Sequence, residues 1–208
     1  MPVNVDIVVT QLLCSKLCHD LVGPIGAVSN GVEMVEEFDA TMRDEALGLI
    51  GDSARQASAR LQFYRYAYGR VGAPITCDVL AGLITDLFGD GPFKLDWPGD
   101  MSAEIVEGAR GKLLANMILL ATEALPRGGR ISVRGSGEGG ALRVVADGET
   151  SALPGEVAAA MSTEVDVKTL TARSVQAHFT ALLAAGLAGR LEAANDDSGA
   201  LALVAQIG

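Results

Sequence analysis

The chain has 208 residues, 49% of them apolar and 20% charged, enough to bury a core as one large or two small domains. Its formal net charge of -10 excludes the basic surface that nucleic-acid binding and anionic membranes require. No apolar run approaches the roughly 20 residues of a membrane span, and Met1-Pro2-Val3-Asn4-Val5-Asp6 lacks a signal-peptide pattern, so a cytoplasmic address is expected.

Residues 5–38 read as one long helix. Ile7, Gln11, Cys14, Cys18, Leu21, Ile25, Val28, Val32 and Val35 recur at three- and four-residue steps, the spacing of an apolar stripe. The run Leu17-Cys18-His19-Asp20-Leu21-Val22-Gly23-Pro24-Ile25-Gly26 lies within it. His19 is one of only two histidines and stands beside a carboxylate. Imidazole can accept and release a phosphoryl group near neutral pH, and an adjacent acid can orient the ring and hold the proton on its second nitrogen. His19 falls about 100° from Cys18 on the helical wheel, off the centre of the stripe. Ser15, Lys16, Gly23, Gly26 and Asn30 share its face, so a partner protein has room to approach the ring. These five are candidate docking residues. Asn30 is either part of such a face or an ordinary polar surface residue, and Asp20 is either the ring's partner or a solvated acid. Pro24 removes one backbone donor just after the pair and is expected to kink the helix.

Cys14, Cys18 and Cys77 form an odd set with no export signal, which argues against structural disulfides. Cys14 and Cys18 stack on one helix face, but Cys-x-x-x-Cys-His has no common metal spacing, so both read as small hydrophobes in a helix core. No metal site is expected.

After a break at Phe38-Asp39-Ala40-Thr41, a second helix spans about 41–68, with Met42, Ala46, Leu49, Ile50, Ala54, Ala57, Leu61 and Tyr64 at its apolar positions. This face is narrow and alanine-rich. A hairpin so thin is expected to pair with a second copy as a four-helix bundle, which makes the chain a homodimer. Gly69-Arg70-Val71-Gly72-Ala73-Pro74 marks a boundary between a helical domain, 1–70, and a second domain, 74–208. There, a helix fits 77–88, a strand 93–97, a long helix 107–125 and a strand 130–135. A Gly137–Gly140 hairpin leads to a strand at 141–146. A helix over about 169–188 and strands near 190–194 and 201–207 close the chain. The fold class is α+β, an N-terminal helical hairpin followed by helices on one face of a mixed or antiparallel sheet. His178, inside an apolar helix, reads as a core or interface histidine.

This order of elements resembles the Bergerat ATP-binding domain of histidine kinases, and the first half resembles their dimerisation and phosphoacceptor hairpin. In those kinases the phosphoacceptor histidine is followed by an acid and, five positions on, a proline, as His19, Asp20 and Pro24 are here. His19 to Gly31, together with Asn116 to Ala124 and the following Leu125-Pro126-Arg127-Gly128-Gly129, is similar to the signature of ChpT-like histidine phosphotransferases. The resemblance covers essentially the whole chain. It fails at the nucleotide site. Kinases carry two asparagines four apart on one helix, where this chain has Asn116 and Leu120, and Leu120 cannot ligate a hard cation. Their Asp-x-Gly-x-Gly is replaced by Asp147-Gly148-Glu149-Thr150-Ser151, and their glycine-rich phosphate turn by Lys168-Thr169-Leu170-Thr171-Ala172-Arg173-Ser174. Asn116 and Asp147 therefore read as structural remnants.

The resemblance implies a dimeric phosphotransferase of a cell-cycle phosphorelay, with His19 and Asp20 as the working pair and no ATP binding or cofactor of its own. Magnesium would come with the partner. The donor would be the receiver domain of a hybrid histidine kinase and the acceptors response regulators of the CtrA and CpdR type. A histidine kinase with a divergent ATP site and a non-catalytic receiver-binding adaptor are the alternatives.

Overall fold

The computed structural model describes residues 5–37, 40–70, 72–99, 105–106, 108–134 and 140–207. Two helices, α1 (Ile7–Glu37) and α2 (Ala40–Tyr68), form an antiparallel hairpin. They cross closely at Gly31, where a Cβ would stand 2.6 Å from Ile50 Cγ1, so a larger residue would push the helices apart. The expected Phe38-Asp39 break lies outside the described residues.

A two-residue strand β1 (Ile75–Thr76) then opens α3 (Cys77–Phe88), followed by β2 (Phe93–Asp96), β3 (Ile105–Val106) and α4 (Gly108–Glu123). Strands β4 (Gly129–Arg134) and β5 (Leu142–Asp147), helices α5 (Gly155–Ala159) and α6 (Val175–Gly186), and strands β6 (Arg190–Asn195) and β7 (Leu201–Gln206) complete the chain. The sheet order is β2-β4-β5-β7-β6. β2 runs parallel to β4 (Phe93 opposite Gly129), and the remaining pairs are antiparallel. The sheet is thus mixed, and the α+β class holds. The tight turn into β4 uses Gly128 at φ +79°, where a Cβ would also collide with the Pro92 carbonyl. The turn expected at Gly137–Gly140 falls mostly outside the described residues.

Helices α4 and α6 cover one face of the sheet. Leu113, Met117, Ile118 and Leu120 of α4 are buried against Ile131, Val144 and Leu203. The hairpin is not separate from this core. Val9 and Leu13 of α1 and Phe63 and Ala67 of α2 are buried in the same apolar cluster. Complete burial of Phe63 alone contributes about 2–3 kcal/mol.

Three readings of the sequence change here. Of the expected α1 stripe, Ile7 (67%), Ile25 (53%) and Val32 (44%) are exposed in the protomer, and so are Cys14 and Cys18. The face that packs at home carries Val9, Leu13, Pro24 and Gly31 instead. Helix α1 has two apolar faces, and periodicity finds the stronger one without saying what covers it. In α2 the inward residues include Ala46, Ser53, Phe63 and Ala67, while Leu49 and Leu61 point out. The helix expected at 169–188 is divided into a 3-10 turn, Val167–Thr169, and α6. Between them the Thr171 and Ser174 side chains accept each other's backbone N–H groups (3.0 and 3.1 Å), and these local bonds displace helical ones. Helix α5 and strands β1 and β3 are too short to leave a periodic signal.

Candidate site at His19

α1 passes through Pro24 as one helix. His19 projects from it with 89% of its side chain exposed. Its Nδ1 lies 3.4 Å from Asp20 Oδ1. Neighbouring helical residues diverge by about 100°, so only the ring nitrogen nearest the backbone reaches that carboxylate. With the proton on Nδ1 this contact is a hydrogen bond to the carboxylate, and Nε2 is then the atom that carries the lone pair.

Asp20 is held from α2. The Tyr64 hydroxyl donates to Asp20 Oδ2 at 2.7 Å, and Arg60 Nη1 donates to the Asp20 backbone carbonyl. Burial, and then the bond to Asp20, push the Tyr64 pKa well above that of free tyrosine, so its hydroxyl remains a donor. In an antiparallel hairpin whose first helix ends at Glu37 and whose second begins at Ala40, the α2 residues facing Asp20 are those near 57–64. Arg60 and Tyr64 are the residues bonded to Asp20 that reading the sequence missed, and this antiparallel register is the signal that locates them.

His19, Asp20, Gly23, Pro24 and Ala27 of α1, with Ser53, Gln56 and Arg60 of α2, line a shallow depression of about 470 Å³. A second groove, about 330 Å³, shares Asp20, Gln56 and Arg60 and continues past Lys16 and Tyr64 to Leu87, Phe88, Pro92 and Phe93. The ground beside His19 is therefore continuous with the second half of the chain. Of the five candidate docking residues, Gly23 borders the depression and Lys16 the adjoining groove. Lys16 is half-buried and pairs with Glu123 across 3.6 Å. Ser15 and Asn30 are exposed, Ser15 bonding the Gln11 carbonyl, and Gly26 has open space around its Cα. None of these last three lines either cavity.

Asn116 is fully buried away from His19. Its Nδ2 donates to the Ala67 carbonyl at 2.9 Å and to the Lys112 carbonyl at 2.8 Å, while its Oδ1 accepts from Gln176 Nε2 at 2.9 Å. Tyr68 donates in turn to Gln176 Oε1, and Lys112 donates to the Gly69 carbonyl. The carbonyls that end α2 have no helical donor, and α4 supplies one to Ala67 and one to Gly69. Burial lowers the Lys112 pKa, as expected of an ammonium bonded mainly to a carbonyl. The position matching the kinases' first asparagine thus joins the hairpin to α4 and α6. Leu120 is buried in the core and Asp147 is exposed. His178 is buried as expected, with Nδ1 2.8 Å from the Ser162 carbonyl. Among the described residues no group of three or more His, Cys, Asp or Glu side chains could hold a metal ion, and no helix is long and apolar enough to cross a membrane.

Residues 78–199 match the family model described as the histidine phosphotransferase C-terminal domain. The chain is 36% identical over 193 residues to the protein phosphotransferase ChpT of Brucella abortus (strain 2308), an alignment covering 89% of this chain and 90% of that protein. A solved structure of a bacterial phosphotransferase superposes with a TM-score of 0.80 at 32% identity, covering 99% of each chain.

Proposed function

The chain belongs to the histidine phosphotransferase family, and on that footing we propose that His19 carries phosphoryl groups between the aspartates of receiver domains. The observation that carries this reading is the exposed Nε2 of a histidine whose Nδ1 faces a carboxylate at 3.4 Å. Nε2 attacks the phosphorus of a receiver's aspartyl phosphate. The N–P bond forms, the P–O bond to the aspartate breaks, and the receiver recovers its carboxylate. The ring keeps its Nδ1 proton and becomes cationic, and the Asp20 carboxylate stabilises that charge. Attack by a second receiver's carboxylate reverses the step and returns the ring to neutral. Such transfer needs chiefly positioning and charge neutralisation. Magnesium arrives with the receiver, and this chain contributes no cofactor.

Residues 1–70 act in this reading as the phosphoacceptor and dimerisation hairpin, and 74–208 supply the far wall of the receiver's docking groove. The donor is a hybrid kinase's receiver, the acceptors are regulators of the CtrA and CpdR type in cell-cycle control, and the compartment is the cytoplasm. Dimerisation is supported by the exposed apolar residues Ile7, Ile25 and Val32 of α1 and Leu47 and Leu61 of α2, which a second hairpin would cover. The use of Asn116 as a buried joint supports a chain that neither binds ATP nor phosphorylates itself.

The test is transfer of label from a phosphorylated receiver to the wild-type chain and to His19→Ala, with labelled ATP alone alongside. Label on wild type only, and none from ATP, is the expected result. Label taken directly from ATP would make the chain a kinase, and labelling of His19→Ala would remove His19 from the mechanism.

A further inference from the structure

In an α-helix each carbonyl accepts from the N–H four residues on, and proline has no N–H. Pro24 therefore leaves the Asp20 carbonyl without its helical donor, one residue from His19. Arg60 fills that vacancy from α2, 40 positions away. A guanidinium has five N–H donors in a planar fork, and this bond uses one of them. Arg60 makes no ion pair among the described residues, unlike Lys16, Arg55, Arg127 and Arg173. It lines the His19 depression and also the groove leading away from it. The other residues bordering His19 there include the small Gly23, Ala27 and Ser53, which leave room for a group on Nε2. The result is a half-buried cation with no carboxylate partner among the described residues, fixed by one donor beside an exposed imidazole. A dianionic phosphoryl group is the ligand whose charge and oxygen spacing such a fork matches.

We propose that Arg60 is a phosphoryl-binding residue: seated on the carbonyl that Pro24 orphans, its guanidinium takes the oxygens of the phosphoryl group entering and leaving His19 Nε2. This rests on His19 as the phosphoryl carrier and adds the group that neutralises the charge. Pro24 then has a definite role. The missing N–H creates the seat for the arginine.

The alternative is that Arg60 merely caps a carbonyl, and a double variant separates the two. The probe is phosphoramidate, a small donor that needs no docking. Nε2 attacks its phosphorus, its P–N bond breaks, and the nitrogen leaves as ammonia with a proton. Arg60→Ala should slow phosphorylation of His19 by about 10²-fold, the scale of losing one preorganised charge-stabilising donor, and Arg60→Lys should recover part of it. Pro24→Ala combined with Arg60→Ala restores an N–H to the Asp20 carbonyl. It should stay as slow as Arg60→Ala. By phosphorus NMR, the second ionisation of the phosphohistidine should move to higher pH in Arg60→Ala, a change a carbonyl cap alone would not cause. Rates returning to wild type in the double variant, or an unmoved ionisation, would overturn the proposal. His19→Ala run in parallel keeps the two readings distinguishable. If it still takes phosphate, the carrier assignment fails, whereas if it is inert and Arg60→Ala matches wild type, only the role of Arg60 fails.

Discussion

Replacing Asn116 by alanine should unfasten the hairpin from the sheet domain, and the structure sets the size of the effect. Asn116 is fully buried and its carboxamide makes three bonds. The Lys112 carbonyl lies within α4 and keeps its helical donor, so that loss is minor. The Ala67 carbonyl lies at the end of α2 and would be stranded, at a cost of about 1–3 kcal/mol for a buried unsatisfied acceptor. Gln176 Nε2 would lose its best bond, worth about 1 kcal/mol, but it retains longer contacts at 3.4 Å to the Asn116 carbonyl and to Thr180. The vacated carboxamide leaves a void worth about another 1 kcal/mol. The sum is about 3–5 kcal/mol. For a chain of this length it corresponds to a fall in Tm of roughly 6–20 °C. Urea titration followed by circular dichroism measures the first figure and calorimetry the second. A loss below about 1 kcal/mol would refute the reasoning, because it would mean that the joint carries no structural load. Magnesium-ATP added to wild type tests the same residue from the other side. A nucleotide bound to the native state would raise Tm, and none is expected to do so.

Tyr64→Phe removes the donor on Asp20 Oδ2 and should cost about 1–2 kcal/mol in stability, at the lower end for a bond to a charged group because Asp20 is only partly buried. It should also slow phosphate uptake by His19 several-fold, and unchanged kinetics would show that Asp20 needs no anchor. Burial pushes the Tyr66 pKa up to about 12 from 10.0, so the native state holds this proton more tightly than the unfolded chain does. Stability from this group is complete below about pH 10 and is lost as pH rises through 12, which absorbance at 295 nm and circular dichroism can follow together. Tyrosinate appearing at pH 10 in folded protein would contradict this burial. Ile25→Glu places a charge on the exposed α1 stripe at no cost to the protomer's core. With the exposed stripe as the proposed dimer seam, sedimentation should give a dimer for wild type and a folded monomer for the variant, and a variant that still dimerises would place the interface elsewhere.

Much of this protein is written locally in its chain. The helices α1, α2, α3 and α4 and the strands β2, β4, β5, β6 and β7 follow from apolar periodicity and from Gly and Pro punctuation, because those signals act within a few residues. The His19-Asp20-Pro24 pattern is equally local, since a run of six residues on one helix holds the ring, its neighbouring carboxylate and the proline. Three things were decided only by packing. Helix α1 carries apolar residues on two faces, and a wheel cannot say that Val9 and Leu13 join the shared core while Ile25 and Cys18 stay outside. Asn116 looks like the relic of a nucleotide site, and only the approach of α2 and α6 makes it the joint between the two halves. Arg60 and Tyr64, 40 and 44 residues from Asp20, reach it because the hairpin folds back at a register that no short window contains. The proposed nucleophile can be read from a decapeptide, whereas the residues packed around it are brought there by the tertiary fold, since hydrogen bonds across a hairpin depend on distances in space and leave no mark at a fixed spacing in sequence.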